Sequence, residues 1–209
     1  MAEENILRGK HIIYLGSSVT YGFASDGISF ADFISQRNGT TFTKEAVSGT
    51  TLVDEGPDSY ISRMKTIKDP AADLFICQLS TNDATLQKPF GYVSSSRDIS
   101  TFDTKTIAGA MEYIIAYARE TWNCPVVFYT SPRYDSREYQ QMVDLLYVIR
   151  EKWTLPVIDM WNDLHFNHIS AEDRARYMQD PIHPLRAGYL EWWTPYMEQE
   201  LREILNILS

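Results

Sequence analysis

Short, mostly apolar runs of strand length alternate along this chain with longer stretches in which apolar residues recur every three or four positions. The runs lie at 11–15, 41–47, 74–79, 125–130 and 156–160, mostly bounded by Gly, Asn, Asp or Ser. The stretches at 29–37, 58–67, 104–122 and 136–153 have helical period. In the third, Ile107, Met111, Ile114, Ile115 and Ala118 share one face. A last helical region covers 185–208 and is expected to break or bend near Pro195, which has no N–H to offer the preceding turn. Strands alternating with helices predict a parallel sheet covered on both sides, so the expected class is α/β, a three-layer α/β/α sandwich on a five-stranded parallel sheet.

Size and charge narrow what such a fold does. A chain of 209 residues is long enough to bury a full core and short enough to be one domain over 1–209. Its net charge of −9, with no Lys/Arg cluster, disfavours nucleic acid and anionic membrane surfaces as partners. No run has the length of a membrane span. The acidic opening Met1-Ala2-Glu3-Glu4-Asn5 leads almost at once into a strand and leaves no room for an export signal, so the expected location is cytoplasmic. Cys77 and Cys124 sit beside apolar runs and read as small buried residues, and no spacing of metal ligands is present.

The candidate chemistry begins at Gly16-Ser17-Ser18-Val19-Thr20-Tyr21-Gly22, directly after the first predicted strand. Small residues flanked by glycines let a strand turn sharply into a helix and present a serine at the sheet edge. A serine hydroxyl becomes a nucleophile when an imidazole takes its proton and a carboxylate orients that imidazole. Asp180-Pro181-Ile182-His183 supplies such a pair three residues apart, whereas His11, His165 and His168 have no comparable partner. His165 and His168 are expected on a polar surface segment.

Gly16-Ser17-Ser18 with Thr20 and Gly22, then Gly49, then Asn82-Asp83 after the third strand, then Asp180-x-x-His183, together resemble the SGNH hydrolases, also called GDSL esterases and lipases. The four blocks stand in the family's order and span nearly the whole chain. Ser17 replaces the family's usual Asp, and Ser80-Thr81-Asn82-Asp83 replaces its Gly-x-Asn-Asp; both changes flank the reacting residues without removing one. The resemblance implies a flavodoxin-like architecture and a triad of Ser18, His183 and Asp180. It further implies an oxyanion hole made by the N–H groups of Ser18 and Gly49 with the Asn82 amide, and no metal or organic cofactor. Asp83, a carboxylate that would oppose an oxyanion, is expected to tie the serine loop to the third strand.

Independently of that resemblance, Ser18, Gly49 and Asn82 each follow a predicted strand, where parallel sheets gather their ligands. The segment 84–103, with Phe90, Tyr92 and Phe102, leaves the same edge and is expected to face substrate. Arg133, expected to bind substrate, and Tyr134 follow the fourth strand and Trp161 the fifth, positions equally suited to a cleft wall and to ordinary packing. The aromatic stretch Tyr189-Leu190-Glu191-Trp192-Trp193 suits either core or a homo-oligomer interface. The expected activity is hydrolysis of a small neutral ester through an acyl-serine, with O-acetylated carbohydrate first. Short-chain lipid, lysophospholipid or thioester on the same site comes second, and a non-catalytic carbohydrate-binding protein is the alternative of another class.

Overall fold

The computed structural model describes residues 5–208. Its strands are β1 (His11–Gly16), β2 (Thr41–Ala46), β3 (Leu74–Gln78), β4 (Val126–Tyr129) and β5 (Val157–Ile158). They form one sheet in the order β2-β1-β3-β4-β5, every neighbouring pair parallel. The helices are α1 (Ser18–Tyr21), α2 (Phe30–Asn38), α3 (Tyr60–Met64), α4 (Thr81–Thr85), α5 (Ile107–Trp122), α6 (Arg137–Trp153), α7 (Leu164–Asn167), α8 (Ala171–Tyr177) and α9 (Thr194–Leu208).

Alternation along each strand builds the two cores. Ile13, Leu15, Phe75, Cys77, Val126 and Phe128 pack on one face with Ile61 of α3, Ile114 and Ile115 of α5 and Met142 of α6. Ile12, Tyr14, Leu74, Ile76, Val127 and Tyr129 pack on the other with Phe30 and Ile34 of α2 and Met197 and Leu201 of α9. Successive side chains of a strand point to opposite faces, so a strand buried on both sides must be apolar throughout. This is the three-layer α/β/α sandwich with five parallel strands, in flavodoxin-like order.

Two elements differ from their sequence expectation. The fifth strand pairs only at Val157–Ile158, because Thr130 Oγ1 accepts the Trp161 N–H at 2.9 Å and draws the chain out of the ladder. The last helical region does not break at Pro195. A widened turn occupies Gly188–Trp193 just before it, with the Thr194 N–H reaching the Tyr189 carbonyl. That turn sends Tyr189 and Trp193 into the second core and leaves Trp192 stacked on Phe166, so the aromatic stretch is core. A side chain at Gly188 would stand 2.2 Å from the Tyr177 carbonyl oxygen, which lets α8 abut this turn directly.

A buried charge holds the middle of the segment 84–103, while its first residues, Leu86 and Lys88, line a cavity beside Gly49. Glu112 of α5 is fully buried and gathers the Ser94 N–H (2.8 Å), the Trp153 Nε1–H (3.0 Å) and the Lys152 ammonium. Lys152 in turn donates to the carbonyls of Ser94 and Ser96, and Phe102 packs edge-on against Trp153. A buried carboxylate needs such partners, and satisfying it straps the segment across α5 and α6. Phe90 packs against the first core, its carbonyl accepting the Ala108 N–H, while Tyr92 is 94% exposed. No hydrogen bond or ring contact joins Phe90, Tyr92 or Phe102 to Ser18, His183 or Asp180 among the described residues. Among those residues no helix is long and apolar enough to cross a membrane.

Candidate active site

The register of the sheet aligns three loops. Leu15 of β1 stands between Glu45 of β2 and Cys77 of β3, so the chains leading to Ser18, Gly49 and Asn82 leave adjacent strands at one level. The connections from β1 to β2 and from β2 to β3 run to opposite sides of β1, which opens a crevice at this edge.

Ser18 is the first residue of α1 and only 5% exposed. Its Oγ lies 2.8 Å from His183 Nε2, and His183 Nδ1 lies 2.7 Å from Asp180 Oδ2. A carboxylate only accepts, so the imidazole proton sits on Nδ1 and Nε2 is free to accept from the serine hydroxyl. The other carboxylate oxygen of Asp180 accepts the N–H groups of Ile182 and His183, each at 2.8 Å. Partial burial works against ionisation of Asp180, but hydrogen bonds from the His183 side chain and these two N–H groups outweigh it and hold its carboxyl below the ordinary range.

The turn that carries Ser18 is fixed from beneath by Gln78, the last residue of β3. Its Oε1 accepts the Ser17 N–H at 2.9 Å and the Thr20 hydroxyl at 2.9 Å, with longer approaches from Ser17 Oγ (3.3 Å) and the Thr20 N–H (3.4 Å). A backbone N–H can only donate, which identifies the facing atom as oxygen. Ser17, where the resembling family has Asp, is thereby satisfied while fully buried. Thr20 Oγ1 also contacts Tyr129 Oη at 2.6 Å, and Tyr189 Oη donates to the Val19 carbonyl at 2.7 Å, so the last helical region braces α1. Gly22 ends α1 at φ 93, with the Ile28 backbone 2.6 Å from where a Cβ would stand, so no other residue fits there.

Around Gly49, which has φ +81, the loop is pinned by Asn82 and Asp83. Asn82 Nδ2 donates one proton to the Thr50 carbonyl at 2.8 Å, leaving its second amide proton unassigned. Asp83 is fully buried and accepts the N–H groups of Leu52 (2.8 Å) and Val53 (3.1 Å), so it ties the Gly49 loop, not the serine loop as expected, to the end of β3. Gln78 already serves the serine loop. Burial pushes the Asp83 carboxyl up against the lowering effect of these hydrogen bonds. Arg63, 6% exposed, donates to the carbonyls of Gly16 and Glu45 (2.8 Å each) and to Thr50 Oγ1 (3.0 Å), locking the ends of β1 and β2 to the same loop. Among the described residues the N–H groups of Ser18 and Gly49 have no acceptor.

Three of these residues went unread in the sequence. Gln78 had a visible signal, a lone amide closing the otherwise apolar run Leu74-Phe75-Ile76-Cys77, since a buried amide demands partners. Arg63 and Phe23 had none. The Phe23 ring lies 5.2 Å from the His183 imidazole and is 58% exposed, an aromatic neighbour of the Ser18–His183–Asp180 line. Trp161 is core, edge-on to Tyr134 and tilted against Tyr139, and Arg133 lies exposed over its ring at 5.8 Å. No group of His, Cys, Asp or Glu among the described residues is arranged to hold a metal ion.

No family model matches the sequence, and neither does any curated protein. Solved structures do resemble it. A protein from Lactobacillus plantarum superposes with a TM-score of 0.76 at 18% identity, over 95% of this chain and 97% of that one. A member of the lipolytic protein G-D-S-L family from Veillonella parvula gives 0.62 at 17% identity, over 94% and 98%. A family two carbohydrate esterase from Clostridium thermocellum, solved in complex with cellohexaose, gives 0.65 at 13% identity, over 99% of this chain and 67% of that one. At these identities the likeness is one of fold, and the fold of this chain is that of the G-D-S-L lipolytic proteins.

Proposed function

We propose that the protein is a serine esterase of the SGNH type that removes short acyl groups, acetyl first, from carbohydrate. The observation that carries this reading is the line of hydrogen bonds from Ser18 Oγ through His183 to Asp180, at 2.8 and 2.7 Å, on the ligand-gathering edge of the sheet. In the reaction, Ser18 Oγ attacks the ester carbonyl carbon while its proton passes to His183 Nε2, and Asp180 stabilises the imidazolium. The negative oxygen is held by the N–H groups of Ser18 and Gly49 and by the second amide proton of Asn82. Collapse breaks the C–O bond, and the departing alkoxide takes the proton from Nε2. Water then attacks the acyl-serine, giving its proton to Nε2, and the carboxylic acid leaves as Ser18 is restored.

Two features favour a hydroxylated leaving group over a long lipid chain. The open Phe23 ring beside His183 offers an apolar face on which a sugar ring can stack. The cavity beside Gly49, about 350 Å³, is lined by Ser48, Thr50, Glu55, Asp58 and Lys88 as well as by Val47 and Leu86, a mixed wall that suits a small acyl group. The test is release of p-nitrophenol from its acetate together with covalent labelling by a fluorophosphonate. Native protein should do both, with the label mapping to Ser18, and Ser18→Ala and His183→Ala should each do neither while still unfolding in one cooperative thermal transition. Carbohydrate binding without turnover in the native protein would overturn the enzymatic reading.

A further inference from the structure

A second cavity adjoins the triad on the far side of Asp180. It measures about 440 Å³ and is lined by Arg133, Tyr134 and Asp135 from the chain after β4, by Arg174 and Met178 from α8 and its end, and by Asp180 itself. Because Asp180 belongs both to this wall and to the triad, a group held in the cavity is one carboxylate and one imidazole removed from Ser18 Oγ.

Two guanidinium groups line the cavity without a carboxylate partner. Arg133 is positioned by contacts that leave most of its donors unused. Its backbone N–H donates to Asn167 Oδ1 at 2.8 Å, its guanidinium lies over the Trp161 ring, and one long bond of 3.4 Å reaches Gln140 Oε1. The platform is rigid, since Trp161 is buried and its Nε1–H donates to the same Gln140 oxygen at 2.7 Å. Arg174 has Ser170, Ala171, Tyr177 and Met178 three and four residues away, none of them acidic, and its guanidinium makes no hydrogen bond or ion pair among the described residues. Two positions further on, Arg176 is paired with Glu191. The chain has 28 acidic against 19 basic side chains, so partners abound, and two arginines left unpaired on one cavity wall are available to a ligand. Asp135 forms no ion pair with either among the described residues, and Asp180 is occupied by His183 and two backbone N–H groups.

From this we infer that Arg133 and Arg174 form an anion subsite that holds a carboxylate or phosphate on the substrate, so that the ester cleaved at Ser18 is carried by an acidic sugar. The inference rests on the esterase reading and departs from the neutral substrate expected from net charge. Net charge governs approach from a distance, whereas planar guanidinium forks govern the bound state.

The test compares kcat/KM for acetyl esters of glucose, glucuronic acid and glucose phosphate in the native protein, Arg133→Gln, Arg174→Gln and the double variant, with Arg176→Gln as the control. At low salt at least one acidic ester should exceed the glucose ester by about tenfold, the scale of one charge-assisted hydrogen bond, through KM more than kcat. The preferred acid distinguishes carboxylate from phosphate. The ratio of acidic to neutral should fall in each single variant, vanish in the double one and survive in Arg176→Gln. As a readout independent of turnover, glucuronate or inorganic phosphate should slow fluorophosphonate labelling of the native protein and not of the double variant. Equal cleavage of all three esters by the native protein, or a ratio that survives in the double variant, overturns the subsite, as does the absence of any protection. Those failures differ from failure of the esterase itself, in which Ser18 takes no label at all.

Discussion

Replacing Gln78 by Met keeps the length and buried volume of the side chain but removes the acceptor beneath the Ser18 turn. Four approaches to Oε1 are lost, of which two, from the Ser17 N–H and the Thr20 hydroxyl at 2.9 Å, have full hydrogen-bond geometry. The Thr20 hydroxyl keeps Tyr129 Oη, whereas the Ser17 N–H is left buried and unpaired. One orphaned donor and one lost bond together cost about 2–4 kcal/mol. For a chain of this size that lowers the thermal midpoint by roughly 5–15 °C. The functional effect is separate. Misplacing a reacting atom by a fraction of an ångström to an ångström costs up to about a hundredfold in rate, so labelling of Ser18 by a fluorophosphonate should slow by about tenfold to a hundredfold while KM for p-nitrophenyl acetate holds. Gln78→Glu keeps an oxygen in the same place and should recover most of the labelling rate. Calorimetry and labelling kinetics on the three proteins decide the matter. A large loss of stability with native labelling would make Gln78 a packing residue only, and native behaviour in both would refute its role.

Three further outcomes follow from the same geometry. Asn82→Ala should lower kcat by roughly a hundredfold or more with little change in KM, since in the proposed mechanism its second amide proton meets the oxygen mainly in the transition state; a raised KM at unchanged kcat would remove it from the proposed oxyanion hole. Phe23→Ala should raise KM several-fold for an acetylated oligosaccharide and not for p-nitrophenyl acetate, the scale of one lost aromatic contact, whereas Tyr92→Ala should leave both unchanged; the opposite pattern would put Tyr92, and not Phe23, against the substrate. The folded carboxyl of Asp180 lies below its ordinary value of 3.8, so the stability it contributes is present above that value and disappears as pH falls through the lower folded one. The gap in thermal midpoint between native protein and Asp180→Asn should therefore be constant through the mildly acidic range and close only in stronger acid; a gap already closing near neutrality would contradict the assignment.

Layer order and strand positions were readable because a strand buried on both faces has almost no freedom of composition, as Leu74-Phe75-Ile76-Cys77 illustrates. The pairing of Ser18 with His183 and Asp180 was readable for a different reason: glycine spacing and an Asp-x-x-His turn are local features that survive without knowledge of the rest. What escaped was set by partners remote in sequence. The segment 84–103 has an aromatic, loop-like composition, and the buried charge of Glu112, drawing in Lys152 from 40 residues away, sends the part around Ser94 and Ser96 across the helices while Leu86 and Lys88 stay beside Gly49. Asp83 holds the Gly49 loop through the N–H groups of Leu52 and Val53, partners 31 and 30 residues away that its own neighbours in sequence do not reveal. The widened turn before Pro195 follows from the same kind of remote demand, because Tyr189 must reach the Val19 carbonyl while Gly188 abuts Tyr177.

Ser18 and His183 are separated by 165 residues, and α1 is braced by a tyrosine from the last helical region. During synthesis the serine therefore emerges from the ribosome long before anything exists to take its proton, and domains of this kind close as units once their late segments arrive. On the proposed esterase reading, a half-made copy is chemically silent toward every ester it meets. Reaction with a fluorophosphonate consequently counts only molecules whose two ends have met, and in a cell extract the fraction labelled would serve as a clock for completed folding, independent of how much polypeptide has been made.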